Sequence, residues 1–264
     1  MPQKLGQNFL TDHKIVDRII DSADLSSDDF VLEIGPGRGI LTEELARKAK
    51  NVIAIEIDHV LTNFLKDNFK KLENLEIINA DILDFDFSIL AKNHKLTAKN
   101  YKIVANIPYY ITAPIIRKFL ESQTPPQEMI LMVQKEVAER IIAKKGKMNL
   151  LALSVQYYSD PEILFPVSKK CFSPVPEVDS AVIKLLVKNK EREKEETGKI
   201  FRLARIGFSS KRKTLLNNLA NGLHLGKDEI LGKLKKAGFS ENTRAQELSI
   251  EDWKKLTELL LIRD

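Results

Sequence analysis

The stretch "FVLEIGPGRGILTEELARKAKNVIAIEI" (30–57) decides the fold. "FVLEI" (30–34) is a short apolar run that ends in glycines. "ILTEELARKA" (40–49) repeats its apolar residues with helical period, and "VIAIEI" (52–57) is a second buried-strand run. Strand, glycine turn, helix and strand in that order make a βαβ unit. Outward from it the alternation continues. A helix is predicted over 12–25, capped by Thr11 or Asp12, with Ile15, Val16, Ile19 and Ile20 on one face. "HVLTNFLKDNF" (59–69) and segments near 113–122 and 135–144 have helical pattern. "LEIIN" (75–79), "KIVA" (102–105), "EMILMVQ" (128–134) and "SAVIKLLV" (180–187) read as strands, and "LALSVQYY" (151–158) as a strand candidate with a helix as the alternative. The fold class expected is α/β: a mostly parallel Rossmann-like sheet covered on both sides, with a small all-helical C-terminal domain.

That second domain rests on composition and charge. The segment "KNKEREKEETGK" (188–199) is charged, lacks apolar period and reads as a linker. Four helical patterns follow, near 198–207, 211–221, 227–237 and 249–262. The expected domains are therefore 1–187 and 188–264. The chain of 264 residues has formal net charge +5. Residues 186–264 hold 18 Lys and Arg against 12 Asp and Glu; the rest hold 24 against 25. All the excess positive charge thus sits in the last third, which suits a module that binds a polyanion.

Composition excludes several classes. Cys171 is the single cysteine, so neither an intramolecular disulfide nor a cysteine zinc site can form. No apolar run approaches the roughly 18 residues of a spanning helix. The N-terminal "MPQKLGQNFLTD" lacks the apolar core of a signal peptide. These features predict a cytoplasmic protein, with no metal and no membrane association; they leave the oligomeric state open, and a monomer is the working expectation.

The strand ends carry the chemistry. Gly35, Gly37 and Gly39 open the first helix, but Ile40 occupies the place where a dinucleotide fingerprint needs its third glycine. Glu33 precedes the turn. A carboxylate there is unwelcome beside a pyrophosphate and acceptable beside a cation, which favours S-adenosylmethionine over NAD. Glu56 ends the second strand, placed for ribose hydroxyls. Asp81 follows the third, placed for an adenine amine; its plainer reading is a turn former.

"IVANIPYYITAP" (103–114) ends the fourth strand on Asn106, Pro108, Tyr109 and Tyr110. An exocyclic adenine amine is a poor nucleophile because its lone pair is delocalised into the ring. Two acceptors holding its hydrogens, the Asn106 side-chain oxygen and a main-chain carbonyl such as that of Ile107, would direct the lone pair. Pro108 fixes the local backbone and offers no competing N–H. Tyr109 offers a face on which an extruded base stacks. Core packing is the expectation for Tyr110.

These motifs resemble the small-subunit ribosomal RNA adenine N6,N6-dimethyltransferase family over nearly the whole chain. "GQNFL" (6–10), "EIGPGRGILTEELA", "AIEID", "NADIL", "ANIPYYIT", "MVQKEVAERIIA" and "FSPVPEVDSAV" carry the likeness. The resemblance implies that Asn8 and the Leu10 backbone contact the methionine end of S-adenosylmethionine. It implies that Gly35 and Gly37 line the methionine, Glu56 the ribose and Asp81 the adenine, with Asn106 at the reacting centre. Phe172 becomes a candidate for the second face of an aromatic sandwich, against a plainer reading as core. "GFSSKRKTLLNNL" (207–219) resembles an RNA-facing helix start, where Lys211, Arg212 and Lys213 would meet phosphates without reading sequence. Lys144, Lys145 and Lys147 would extend that surface. The implied activity is dimethylation of adenosines, two adjacent ones, in a small-subunit rRNA hairpin on the immature subunit. A large-subunit rRNA adenine methyltransferase of the antibiotic-resistance type is one alternative, and an RNA-binding assembly factor is another.

Overall fold

The computed structural model describes residues 8–97, 100–188 and 194–261. The chain forms two compact units, one from residues 1–139 and 158–188, the other from 140–157 and 189–264.

In chain order the first unit contains β1 (Phe9–Leu10), α1 (His13–Ser22), β2 (Phe30–Ile34), α2 (Ile40–Lys48), β3 (Asn51–Glu56), α3 (His59–Asn68), β4 (Leu75–Asn79), α4 (Phe87–Asn93), β5 (Tyr101–Asn106), α5 (Thr112–Leu120) and β6 (Glu128–Gln134). Then come α6 (Lys135–Ile141) and α7 (Leu150–Tyr158), where the chain passes through the second unit, and β7 (Ser159–Val167), β8 (Phe172–Ser173) and β9 (Ser180–Val187). A seven-stranded sheet runs in the order β4-β3-β2-β5-β6-β9-β7. Its first five members are parallel neighbours, while β9 and β7 are antiparallel additions at one end. From β2 the chain winds to β3 and β4 on one side, then crosses to β5 on the other. A crevice therefore opens at the carboxyl ends of β2 and β5, the topological switch point where such sheets bind ligands.

The local causes are readable. Asp12, not Thr11, caps α1 by accepting from Lys14 N, and Ile15, Val16, Ile19 and Ile20 are buried. Asp58 caps α3 in the same way, accepting from Val60 N and Leu61 N. The central strands have helices over both faces, so Met129 through Val133 are all essentially inaccessible. A strand buried on both sides loses its alternation and reads as a continuous apolar run.

Residues 151–158 are helix, not strand. The run is apolar around most of its circumference, and such a run does not distinguish strand from helix by period. Asn149 Oδ1 accepts from Ala152 N at 3.0 Å and starts the helix, whose Ala152 and Leu153 are fully buried in the core of the second unit. The following strand, β7, has no clear sequence signature because Pro161 and Pro166 interrupt it. It lies at the end of the sheet, where proline is tolerated.

The second unit adds α8 (Lys194–Gly207), α9 (Leu215–Leu223), α10 (Lys227–Ala237) and α11 (Ile250–Leu261). They close with α7 around Trp253, itself fully buried, with Leu203, Leu215, Leu234 and Leu256. This corrects the single division expected at 187/188, because residues 140–157 belong with the helical unit. The expected linker 188–199 is also shorter: α8 already runs from Lys194, and 189–193 lie outside the described residues.

Candidate active site

The turn between β2 and α2 has Gly35, Gly37 and Gly39 at φ +67°, +59° and +82°. That left-handed backbone suits glycine and strains other residues. Closeness adds a second reason at Gly37, where a Cβ would lie 3.0 Å from Phe9 Cδ1. Phe9 belongs to β1, which pairs with β8, and the Arg38 guanidinium lies 4.6 Å from its ring centroid. The N-terminal strand is thus laid against the glycine turn. Asn8 and Leu10, expected at the methionine end, both line the cavity there; Gly6 and Gln7 of "GQNFL" lie outside the described residues.

Glu56, 2% exposed, ends β3 and braces the turn. Its Oε2 accepts from Gly37 N at 3.1 Å and its Oε1 from Asp58 N at 3.0 Å. Burial pushes its carboxyl above the usual range, opposed by those two backbone donors, while the Asp58 charge adds to the rise. Asn79, at the end of β4, holds this corner: its amide donates to Glu56 O at 2.8 Å, Ile57 O at 3.1 Å and Thr62 Oγ1 at 3.1 Å. Sequence reading missed Asn79, because an asparagine before a turn has no distinctive spacing.

Asp81 follows β4, and its Oδ1 accepts from Leu83 N at 2.8 Å. The loop it begins is held from α5. The Lys118 ammonium donates to Leu83 O at 2.8 Å and Phe85 O at 2.7 Å. Burial lowers its pKa, while Asp84, Asp81 and Asp86 oppose that shift. Lys118→Met removes two charge-assisted bonds from the Asp81 loop. Affinity for S-adenosylhomocysteine is expected to fall about tenfold, the size of one such bond. Titration calorimetry checks it, and unchanged affinity would mean that the loop holds itself.

Asn106 ends β5, and its side-chain amide has no hydrogen-bond partner among the described residues. Ile107 is buried, its N donating to Met132 O at 3.2 Å, which anchors the turn to β6. Pro108 has φ −54° and ψ 130°. Tyr109 is half-buried, and its hydroxyl shares a 2.8 Å hydrogen bond with Ser180 Oγ, so its ring is held in place; burial raises its pKa. Tyr110 is 62% exposed at the cavity rim, which corrects the core position expected for it. Phe172 is also corrected. It is 2% exposed, belongs to the core beneath α1 and α2, and does not line the cavity, because pairing with Leu10 in β1 turns it inward.

One cavity of about 340 Å³ gathers the remaining residues. Asn8, Leu10, Gly35, Gly37, Glu56, Asp81, Asn106, Pro108 and Tyr109 all line it. Its ionisable lining includes the carboxyls of Glu33, Glu56 and Asp81 against one guanidinium, Arg38. Glu33 is 2% exposed, and its Oε2 has no hydrogen-bond partner. Such a set repels a pyrophosphate and suits a ligand that carries positive charge. The size suits one cofactor, with Asn106 in the lining. S-adenosylmethionine, with sulfonium, ammonium, ribose hydroxyls and adenine amine, fits these groups. Among the described residues no group of three or more His, Cys, Asp and Glu side chains is placed to hold a metal.

A Rossmann-like sheet with an acid-lined cavity at its switch point, and Asn-Ile-Pro-Tyr in the lining, defines an S-adenosylmethionine-dependent methyltransferase. The family described as ribosomal RNA adenine dimethylase matches residues 2–261, and the chain belongs to that family. It is 45% identical over 254 residues to the ribosomal RNA small subunit methyltransferase A of Dehalococcoides mccartyi, covering 96% of this chain and 86% of that protein. It is 44% identical to the protein of the same description from Clostridioides difficile, over 98% and 90% of the two chains. Among solved structures it resembles a dimethyladenosine transferase from Plasmodium falciparum, with TM-score 0.76 and 30% identity over 94% and 95% of the chains. It also resembles the 23S rRNA methyltransferase ErmE, with TM-score 0.74 and 28% identity over 97% and 100%.

Proposed function

We propose that this enzyme transfers two methyl groups to N6 of each of two adjacent adenosines in a hairpin of small-subunit rRNA, on the assembling subunit, acting as a cytoplasmic monomer. The observation that carries the reading is the Asn106 amide, unpartnered in the lining of the acid-lined cavity. When bound, S-adenosylmethionine supplies an electrophilic methyl group. Asn106 Oδ1 accepts one hydrogen of the target amine, and the main-chain carbonyl of Ile107 accepts the other. The amine lone pair is then directed by two fixed acceptors, a positioning effect that needs no strong base. Tyr109 gives the flipped base a stacking face, and Ser180 keeps that ring from turning. The proton released by the amine goes to water. After the first transfer one N–H remains, so the second needs rotation about the C6–N6 bond within the same clamp.

The RNA-facing groups belong to the helical unit. Lys211, Arg212 and Lys213 are exposed in the turn before α9, not within a helix, and Thr214 caps that helix. Exposed cations beside a helix N-terminus suit phosphate. Lys144 and Lys147 are exposed in residues 140–157 of the same unit. Lys145 is tied to Asp252 at 3.1 Å, which reduces its part in phosphate binding.

The test is methylation of undermethylated small subunits and, separately, of protein-free large-subunit rRNA, read by nucleoside mass spectrometry. Dimethyladenosine from small subunits alone is expected. Product from large-subunit RNA alone would move the enzyme to the activity named for ErmE, whose fold it shares. No product from either, with cofactor bound, would leave a binding role in assembly. No helix among the described residues is long and apolar enough to cross a membrane.

A further inference from the structure

Tyr110 is the exposed aromatic of the cavity lining that the methyl-transfer scheme leaves unused. It follows Tyr109 in a single turn of 3-10 helix, Tyr109–Ile111, between Pro108 and α5. The Ile111 N–H donates to Pro108 O and the Thr112 hydroxyl to Tyr109 O, both at 3.2 Å, so the backbone of the turn is held. The two tyrosines face different strands. The Tyr109 hydroxyl meets Ser180, the first residue of β9. The charges that act on the Tyr110 hydroxyl are those of Asp81, just after β4, and Glu56, at the end of β3. In the sheet β3 and β4 lie on one side of β5, while β6 and β9 lie on the other. The tandem tyrosines therefore address opposite halves of the switch-point crevice.

The half that Tyr110 addresses suits a purine. The Tyr110 hydroxyl has no hydrogen-bond partner among the described residues, so no polar contact of the protein accounts for the ring. Partial burial chiefly, then the Asp81 and Glu56 charges, raises its pKa, and the phenol stays neutral. Ile57, Ile82 and Leu83, neighbours of the same two acids in the chain, line the cavity with apolar groups. The carboxylates of Asp81 and Glu56 repel an RNA backbone phosphate from this half. A neutral base meets no such repulsion and stacks on an aromatic face.

We propose that Tyr110 is the stacking platform for the adenine of the bound cofactor, so that the tandem tyrosines hold two purines, Tyr109 the target base and Tyr110 the cofactor's. The proposal rests on the S-adenosylmethionine reading above, in which Asp81 meets the adenine amine and Glu56 the ribose hydroxyls. Asp81 then holds the purine by its edge, and Tyr110 covers a face that water would otherwise reach. The ring makes the contact, and the hydroxyl is dispensable.

The test is titration calorimetry with S-adenosylhomocysteine and with 5′-methylthioadenosine, which keeps adenine and ribose but lacks the amino-acid end. Tyr110→Ala is expected to weaken both by the same factor, about tenfold, the scale of losing one stacked base. Tyr110→Phe keeps the face and is expected to bind both as the wild type does. In steady state, KM for S-adenosylmethionine rises about tenfold in Tyr110→Ala while kcat changes far less, the mark of a contact made equally in ground and transition states. Tyr110→Trp reads the stacking directly: its indole emission is expected to be quenched when S-adenosylhomocysteine is added. The chain's single tryptophan, Trp253, is buried in the helical unit and supplies a constant background, measured in the wild type. Unchanged affinity in Tyr110→Ala overturns the proposal, as does unquenched emission in Tyr110→Trp with ligand bound. An equal loss in Tyr110→Phe also overturns it, since the hydroxyl would then be the contact. A normal KM for the cofactor with weakened rRNA binding overturns it too and sets the ring against RNA. Failure of S-adenosylhomocysteine to bind the wild type overturns the cofactor reading itself, a distinguishable result.

Discussion

Asn106→Ala is expected to cut methyl transfer at saturating cofactor by about 100-fold or more, the scale of losing one preorganised acceptor at a reacting centre. The side chain is unpartnered in the structure, so its loss breaks no internal bond. It sits at the end of β5 with Ile107 anchored to Met132, so the truncated strand keeps its register. The defect should therefore lie in turnover and not in folding. The target amine then has one acceptor instead of two and rotates away from the transfer line. Single-turnover methylation of small subunits measures the effect, and calorimetry with S-adenosylhomocysteine measures how much of it is cofactor affinity. Near-normal single-turnover rates would remove Asn106 from the clamp. Its neighbour gives a contrast: Tyr110, 62% exposed, can lose its ring with a far smaller change.

Replacing Lys211, Arg212 and Lys213 together by alanine should weaken RNA binding by about 100-fold at 0.1 M salt. It should also lower the slope of log affinity against log salt by about two, the release of counterions from three phosphates on single-stranded RNA. All three side chains are exposed in the turn between α8 and α9, and no described acidic group pairs with them. Cofactor binding is unaffected, because the cavity is built entirely from the other unit. Filter binding across a salt series reads both numbers. An unchanged slope would place these charges in solvent. Lys145→Ala serves as the control, with a smaller change in slope, since Asp252 already holds that ammonium.

Legibility differed from element to element for physical reasons. β2, β4, β6 and β9 have the boundaries their runs announce; in β2, β6 and β9 a largely buried strand carries its signal in its own residues, while β4 at the sheet end is only partly buried. The four C-terminal helices were legible from period and from glycine punctuation. The KRK turn was displaced from its expected helix because Thr214, whose side chain accepts from Asn217 N, starts α9 after it. The sequence left 151–158 open between strand and helix, and strand β7 was missed, where a mostly apolar run met prolines. That Gly35, Gly37, Glu56, Asp81 and Asn106 share one cavity was legible because the crevice of a parallel sheet opens at strand ends, and strand ends can be counted along the chain.

The sequence by itself determined the order of βαβ units, the strand ends that line the cavity, the basic C-terminal third and the family likeness. Each is written in neighbouring residues. Tertiary structure alone decided what depends on meetings across long separations. It put Phe172 in the core by pairing it with Leu10, and it set Asn79 behind Glu56. It stretched Lys118 to the Asp81 loop and gave residues 140–157 to the helical unit. It also left Glu33 buried beside Glu56 with no cation of its own. Burial and partner distance are properties of the packed chain, and no local pattern of residues encodes them.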